Sequence, residues 1–268
     1  MIKVNGETLI QGNFPDHTLS IKAPTIDNPN IIYLDWYYEN DAELFTIICL
    51  RKHYWEYKVE LYLPYLPHAR MDRVKNPEDV FTLKYFCETI NSLNFNKVTI
   101  FDPHSNVGPA LLDRVKVVTA EEAIRIAIGD VLWDIGDEDT LAIFYPDEGA
   151  MKRYSDFAQL PYGFGIKKRD WTTGKIQNLK IENAPALRDK AILIIDDICS
   201  RGGTFYHSAK ALKEYTDKDI YLYVTHCEET IFEGELFKNN LIKRVFVADP
   251  LFEVPAHYLE SDLIVKVC

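Results

Sequence analysis

The chain has 268 residues, of which 47% are hydrophobic and 13% aromatic, as expected for a globular protein with one large or two small cores. A net charge of −11 disfavours nucleic acid as a partner, because nucleic-acid binding needs a basic face. The apolar runs are too short to span a membrane, so no membrane partner is expected. Five scattered cysteines without a C-x-x-C pair argue against a zinc ribbon or a disulfide framework and favour a cytoplasmic protein.

Apolar runs typical of strands alternate with helical patterns along the chain. Strands are predicted at residues 31–34, 59–63, 97–101, 140–144, 191–195, 221–225 and 244–247. Helices are predicted at residues 41–55, 77–91, 120–128, 149–158 and 203–215. The alternation predicts an α/β fold with mostly parallel sheets flanked by helices, in which ligands bind beyond the carboxyl ends of the strands.

The pattern divides into two halves, residues 1–115 and 116–250, and a tail at about residues 251–268 is free to pack back on the first half. Asn40 and Asp41 are predicted to cap the first helix. The stretch W-T-T-G-K at residues 171–175 lies between two extended runs and is predicted to form a hairpin tip.

The stretch I-I-D-D-I-C-S-R-G-G-T at residues 194–204 is the most informative in the chain. Asp196 and Asp197 follow an apolar strand, where their carboxylates can accept hydrogen bonds from a sugar diol. Gly202 and Gly203 allow a tight turn whose N–H groups can point at one anion, and the next helix adds its positive end. This combination suits a ribose 5-phosphate group, although an ordinary strand–turn–helix junction with an acidic turn is the alternative.

This stretch resembles the ribose-phosphate signature of type I phosphoribosyltransferases and of their relatives, the ribose-phosphate diphosphokinases (PRPP synthetases). The resemblance implies two tandem phosphoribosyltransferase-like halves, the first binding ATP and the second binding ribose phosphate. The implied ribose-phosphate-binding residues are Asp196, Asp197, Cys199, Ser200, Arg201, Gly202, Gly203 and Thr204.

The first half carries three further resemblances to the diphosphokinases. Residues 64–73, P-Y-L-P-H-A-R-M-D-R, resemble the family's ATP loop, P-Y-x-x-Y-A-R-Q-D-R, and residues 40–44 resemble the N-D-x-x-x-E-L stretch that precedes it. Residues 102–104, D-P-H, resemble the family's D-L-H stretch at the magnesium–ATP site. Residues 14–18, F-P-D-H-T, weakly resemble the family's F-x-D-G-E stretch, which binds adenine. The implied ATP-binding residues are Phe14, Asp16, Arg70, Asp72, Arg73 and His104. Taken alone, residues 64–73 read as a solvated charged loop.

Two resemblances in the second half concern the metal and the chemistry. Asp147, in Y-P-D-E-G-A, matches the aspartate of a family S-P-D-x-G-G stretch that approaches Mg²⁺, although a helix cap fits equally well. The implied metal ligands are His104, Asp147 and Asp196. Residues 165–170, G-I-K-K-R-D, resemble the start of the family's catalytic loop, which favours Lys168 and Arg169 as catalytic and leaves Lys167 open. An exposed basic hairpin edge is the alternative.

The chain departs from the family pattern at specific positions. Met71 replaces a glutamine, and Ser200 and Arg201 stand where the family's D-T-G-G-T loop begins. The added positive charge makes ADP-ribose, with its 5-diphosphate, a rival acceptor, unless Arg201 points to solvent or pairs with a neighbouring acid.

The resemblance implies an ATP- and Mg²⁺-dependent pyrophosphokinase of nucleotide biosynthesis. It transfers the β,γ-diphosphoryl group of ATP to the C1 hydroxyl of ribose 5-phosphate, giving PRPP and AMP. The same chemistry on ADP-ribose, within NAD metabolism, is the alternative. A PRPP-using phosphoribosyltransferase and a catalytically silent partner subunit stay open. The family also implies a homo-oligomer, a dimer or a hexamer.

Overall fold

The computed structural model describes residues 1–27, 29–137, 140–169 and 176–267, with the backbone alone for residues 167–169 and 176–179. The chain divides into two compact units, Met1–Thr119 and Ala120–Cys268. No helix within the described ranges is long and apolar enough to cross a bilayer.

The first unit contains a mixed sheet, a separate hairpin and three helices among its described residues. Its strands are β1 (Ile2–Val4), β2 (Glu7–Thr8), β3 (Ile10–Asn13), β4 (Leu19–Lys22), β5 (Ile32–Trp36), β6 (Val59–Leu63), β7 (Lys97–Phe101) and β8 (Val115–Val118). Its helices are α1 (Glu43–His53), α2 (Thr82–Ser92) and α3 (Val107–Leu111). The sheet order is β2-β1-β5-β6-β7-β8, with β5 to β8 parallel and β1 antiparallel to both neighbours. β3 and β4 pair only with each other among the described strands.

The second unit is built on a larger, mostly parallel sheet. Its strands are β9 (Leu141–Tyr145), β10 (Tyr162–Arg169), β11 (Ile176–Glu182), β12 (Ala191–Cys199), β13 (Ile220–Cys227), β14 (Arg244–Pro250) and β15 (Ile264–Lys266). Its helices are α4 (Glu121–Ile135), α5 (Glu148–Tyr154), α6 (Gly203–Leu212) and α7 (Ala256–Glu260). The order is β11-β10-β9-β12-β13-β14-β15, and among the described strands of this sheet the β10–β11 pair is antiparallel and the other pairs are parallel.

The buried residues of the strands are those that the apolar patterns in the sequence place on the core. In β6, Val59, Leu61 and Leu63 are buried and alternate with partly exposed residues, as in a strand with one face on the core. All residues of β13 are buried, as in a parallel strand covered on both faces. β12 is central in its sheet, so its carboxyl end opens at the edge where ligands bind in α/β folds.

The structure corrects several predicted helix boundaries: α1, α5 and α6 end at His53, Tyr154 and Leu212, before the predicted residues 55, 158 and 215. α1 begins at Glu43, and Ala42 rather than Asn40 or Asp41 precedes it, without a side-chain cap. α2 begins at Thr82 instead of residue 77, because Asp79 accepts the backbone N–H groups of residues 75 and 76 and closes a turn there. α4 runs past the predicted end at residue 128 to a left-handed Gly136, since one interior glycine costs a helix only about 1 kcal/mol.

Candidate active site

The loop at residues 200–204, called the phosphate loop below, joins the end of β12 to α6. Gly202 has a φ of +70°, a backbone conformation that L side chains rarely adopt. A Cβ there would also lie 2.3 Å from Leu236 Cδ1, so the site tolerates only glycine. α6 begins at Gly203, which directs the positive end of the helix toward the loop. This geometry suits the anion site that the sequence predicts, and the binding role of the loop stays a prediction.

The two predicted diol-binding aspartates lie at the end of β12 in unlike environments. Asp197 is 7% exposed, and Asp196 is half-buried. The backbone N–H of Asp197 donates to Asp196 Oδ1 at 3.0 Å. Arg153 Nη1 lies 3.2 Å from Asp197 Oδ2 and also donates to the Tyr154 hydroxyl. The sequence analysis did not identify Arg153 as a site residue. The sequence shows it only as part of the basic pair Lys152-Arg153, which follows the stretch around Asp147.

A second segment of the chain, residues 228–236, lies against the phosphate loop. Ser200 Oγ is 3.1 Å from Thr230 Oγ1, which in turn donates to a Glu228 oxygen at 3.4 Å. Arg201 Nη2 is 2.9 Å from Glu233 Oε2. Arg201 thus pairs with a neighbouring acid, as one of the alternatives in the sequence analysis held, and that acid is Glu233. We call residues 228–236 the adjoining segment.

Cys199 is packed behind the phosphate loop. Its side chain is fully buried, in register with Cys227 on β13. The hydrogen bond with Cys227 and burial raise the pKa of the Cys199 thiol well above its usual range. Only its backbone can take part in the ribose-phosphate binding predicted for it.

The predicted metal ligands have the right chemistry without forming a preformed cage. Asp147 Oδ1 accepts the Ala150 N–H at 3.0 Å and caps α5, as the alternative interpretation held. Within the described residues, no group of three or more His, Cys, Asp or Glu side chains is placed to hold a metal ion. Mg²⁺ in nucleotide sites is commonly bound by one or two carboxylates together with substrate phosphates and water. Asp147 and Asp196 fit that donor set.

In the first unit, the structure brings the predicted ATP loop to the strand end that carries His104. Asp72 is buried, and Arg73 Nε donates to its Oδ1 at 3.0 Å. Burial opposes ionisation of Asp72, but hydrogen bonds from Arg73 and Ser105 and the charges of Arg73 and His104 lower its pKa overall. Arg70 and Arg73 are exposed and can face an anionic ligand.

The predicted ATP loop is anchored at its other end by the N-D stretch. His68 has a left-handed backbone, with φ of +61°, and its Nε2 lies 2.9 Å from Asp41 Oδ1. The Tyr38 hydroxyl donates to the same oxygen at 3.0 Å. Burial and the Asp41 carboxylate raise the pKa of Tyr38 to about 12, so this hydroxyl stays a donor.

Phe14 and Asp16 lie in the turn between β3 and β4. The Phe14 ring is 56% exposed and available for stacking. Asp16 Oδ1 accepts both the N–H and the hydroxyl of Thr18, and these bonds lower the pKa of Asp16. Thr18, where the family motif has glutamate, therefore holds Asp16 in place.

The predicted catalytic residues Lys167, Lys168 and Arg169 end β10. This strand pairs with β11 in a hairpin, and the pairing shifts register between Lys168 and Arg169. The side chains of these residues and the whole of residues 170–175 lie outside the described part of the chain. Their assignment stays a prediction.

Comparisons with known proteins show which chains this one is similar to. No family model matches the chain. The ribose-phosphate pyrophosphokinase of Saccharolobus solfataricus is 27% identical over 224 residues, covering 80% of this chain and 74% of that protein. The ribose-phosphate pyrophosphokinase of Sulfurisphaera tokodaii is 24% identical over 261 residues, covering 93% of this chain and 87% of that protein. This chain is a homologue of the ribose-phosphate pyrophosphokinases.

A solved structure extends the likeness to the fold. Phosphoribosylpyrophosphate synthetase from Mycobacterium smegmatis matches with a TM-score of 0.72 at 15% identity, covering 93% of this chain and 82% of that chain. This likeness confirms the predicted fold class. The curated relatives carry the name of the predicted family. The predicted enzyme class, a pyrophosphokinase-like transferase, is the class of these pyrophosphokinase relatives.

Proposed function

We propose that this chain transfers the β,γ-diphosphoryl group of ATP to the C1 hydroxyl of a ribose 5-phosphate moiety, giving PRPP and AMP from ribose 5-phosphate. The observation that carries the proposal is the junction of β12 and α6, where an aspartate pair precedes a glycine loop with a left-handed Gly202. The likeness to ribose-phosphate pyrophosphokinases supports the same reaction.

The second unit is proposed to hold the acceptor. The phosphate loop binds the 5-phosphate through backbone N–H groups and the start of α6. Asp196 and Asp197 accept hydrogen bonds from the ribose hydroxyls, and Arg153 fixes the Asp197 carboxylate for that task. Holding the ribose in one orientation fixes its C1 hydroxyl and contributes to the rate by positioning.

The first unit is proposed to hold ATP. The guanidinium groups of Arg70 and Arg73 suit the triphosphate oxygens, and Phe14 offers a face for the adenine ring. Asp72 holds Arg73 in place through their hydrogen bond. His104, Asp147 or Asp196, together with phosphate oxygens, would hold magnesium, which would supply charge neutralisation.

The reaction balances without a covalent enzyme intermediate. A bond forms between the C1 oxygen and the β-phosphorus, the bond from the β-phosphorus to the α,β-bridging oxygen breaks, and AMP leaves. The proton of the C1 hydroxyl passes to solvent. Lys168 and Arg169, with Lys167 as the alternative, are proposed to offset charge on the transferring group.

ADP-ribose is the second candidate acceptor, and one observation favours it. Arg201 follows Ser200 where the family loop has an acid and a threonine, so the sequence places a cation beside the proposed 5-phosphate site. In the structure this cation is paired with Glu233. The product is then ADP-ribose diphosphorylated at C1, within NAD metabolism. A PRPP-using transferase or a silent subunit accounts less well for the Arg70 to Arg73 loop.

The test is AMP release from Mg–ATP with ribose 5-phosphate, with ADP-ribose and without acceptor, with product masses read by mass spectrometry. Asp196→Asn is expected to abolish acceptor-dependent AMP, whereas the matched exposed variant Asp217→Asn leaves it unchanged. Absence of acceptor-dependent AMP in the unmodified protein would falsify the proposal. We extend the proposal to a cytoplasmic homo-oligomer, dimer or hexamer, for which light scattering is the direct measurement.

A further inference from the structure

The adjoining segment fixes the backbone of the phosphate loop. The Glu228 N–H donates to the Cys199 carbonyl oxygen at 2.8 Å. A Cβ at Gly234 would lie 1.8 Å from the Arg201 carbonyl oxygen, so the two backbones touch there. A Cβ at Gly202 would lie 2.3 Å from Leu236 Cδ1, so Leu236 packs directly on the loop. The two stretches are therefore in backbone contact, which places side chains of the adjoining segment beside the phosphate loop.

One of those side chains faces the cation that distinguishes this loop from the family pattern. Glu233 Oε2 is 2.9 Å from Arg201 Nη2, and the two side chains are 59% and 72% exposed. An ion pair this exposed is weak, so a phosphate group can displace the carboxylate from the guanidinium. In its paired state, however, Glu233 neutralises Arg201 and places a negative charge near any added phosphate.

We propose that Glu233 is a specificity-determining residue that restrains this site from accepting 5-diphosphates, by holding Arg201 away from the second phosphate. The inference rests on the proposed function, since it assigns the acceptor class at that same site. A single 5-phosphate fills the N–H groups of the loop and has little need of Arg201. A second phosphate needs a cation beside the loop, and Arg201 directly precedes Gly202.

The test compares Glu233→Gln with Glu235→Gln by calorimetric titration with ribose 5-phosphate and with ADP-ribose. Glu235 is a matched control, because it lies two positions away, is similarly exposed and pairs with Lys238 at 3.0 Å instead of Arg201. We expect Glu233→Gln to tighten ADP-ribose binding by about fivefold and ribose 5-phosphate binding by less than about twofold. Glu235→Gln should change neither by more than about 1.5-fold.

A double-mutant cycle with Arg201→Gln shows whether Glu233 acts through Arg201. In the Arg201→Gln background, Glu233→Gln should no longer improve ADP-ribose binding selectively. An equal gain in both backgrounds, or an equal gain from Glu235→Gln, would mean a general charge effect and overturn the inference. All these side chains are exposed, so the variants should fold, and thermal melting verifies it.

Failure of the proposed function gives a different pattern. If binding shifts as expected but no acceptor-dependent AMP appears, the diphosphokinase reaction is wrong and the role of Glu233 stands. If AMP forms with wild-type protein but Glu233→Gln leaves both affinities unchanged, the role of Glu233 is wrong and the reaction stands. If neither compound binds any variant, both are wrong.

Discussion

Arg153 Nη1 lies 3.2 Å from Asp197 Oδ2, which joins the last turn of α5 to the end of β12. The carboxylate is almost fully buried and the guanidinium only partly exposed, so the pair is shielded from water. The neighbouring Asp196 is held separately, because its Oδ1 accepts the backbone N–H of Asp197. Arg153 is thus a positioning residue for the proposed diol site.

Removing the Arg153 guanidinium should therefore weaken use of the acceptor and leave ATP binding unchanged. We expect Arg153→Met to lower kcat/KM for the acceptor by about 10- to 100-fold, with KM for ATP within about twofold. Arg153→Lys should restore part of the loss, because an ammonium keeps the charge but not the fork. Lys152→Met is the control, since Lys152 forms only an exposed pair with Glu148 in the described structure. Equal losses for acceptor and ATP would indicate a general structural role.

Asp72 offers a test of the predicted ATP loop. Asp72→Asn keeps the shape of the side chain but removes the charge that holds Arg73. We expect KM for ATP to rise by about tenfold, with acceptor KM unchanged, and stability at neutral pH to fall by about 1–2 kcal/mol. Steady-state kinetics and urea unfolding measure the two effects. Asp113→Asn, at an exposed position of the same unit, should change neither.

The same carboxylate predicts a dependence of stability on pH. The pKa of Asp72 is lowered in the folded state from its ordinary value of 3.8. Its stabilising contribution is therefore complete above about pH 3.8 and is lost as the pH falls through the lower folded value. Urea unfolding from pH 6 to pH 2.5 should show a shallower acid decline for Asp72→Asn than for the wild type. If the free energy of unfolding falls equally with pH in both proteins, the ionised Asp72 carboxylate does not stabilise the fold.

Residues contiguous in the sequence could be predicted, and residues paired across the fold could not. The phosphate loop was predictable because its strand, aspartates, glycines and helix follow one another within residues 191–215. Arg153 escaped prediction because its partner lies 44 positions away in the sequence. The contact of the adjoining segment with the phosphate loop could not be predicted, because the sequence does not show which backbone a glycine such as Gly234 packs against. β3 was missed because its four exposed residues, I-Q-G-N, carry little apolar alternation. β4 was missed because four residues, L-S-I-K, are too short a run to stand out despite their alternation.

The contact between Gly234 and Arg201 predicts a remote effect on ligand binding. A methyl group at Gly234 must displace the backbone of the phosphate loop, because the nearest atom is a carbonyl oxygen. We expect Gly234→Ala to weaken ribose 5-phosphate binding by at least about tenfold and to destabilise the protein by about 1–3 kcal/mol. ATP binding should be unchanged.

Gly129 provides the matching control for this substitution. It is an exposed glycine inside α4, and a methyl group added to it would meet nothing within 4 Å. Gly129→Ala should stabilise the protein by about 0.5–1 kcal/mol through helix propensity and leave both affinities unchanged. If Gly234→Ala binds ribose 5-phosphate as the wild type does, the adjoining segment does not shape the anion site.

Single substitutions test which of the three basic residues at the end of β10 are catalytic. The pairing of β10 with β11 shifts register there, between Lys168 and Arg169. A residue that offsets charge only in the transition state should lower kcat and leave the KM values nearly unchanged. We expect Lys168→Ala and Arg169→Ala each to lower kcat by about 100- to 1000-fold, and Lys167→Ala by less than about tenfold. Lys180→Ala on β11, which breaks an exposed pair with Glu182, is the control and should have no effect. A larger loss from Lys167→Ala than from Lys168→Ala would transfer the catalytic role to Lys167, two positions before Arg169.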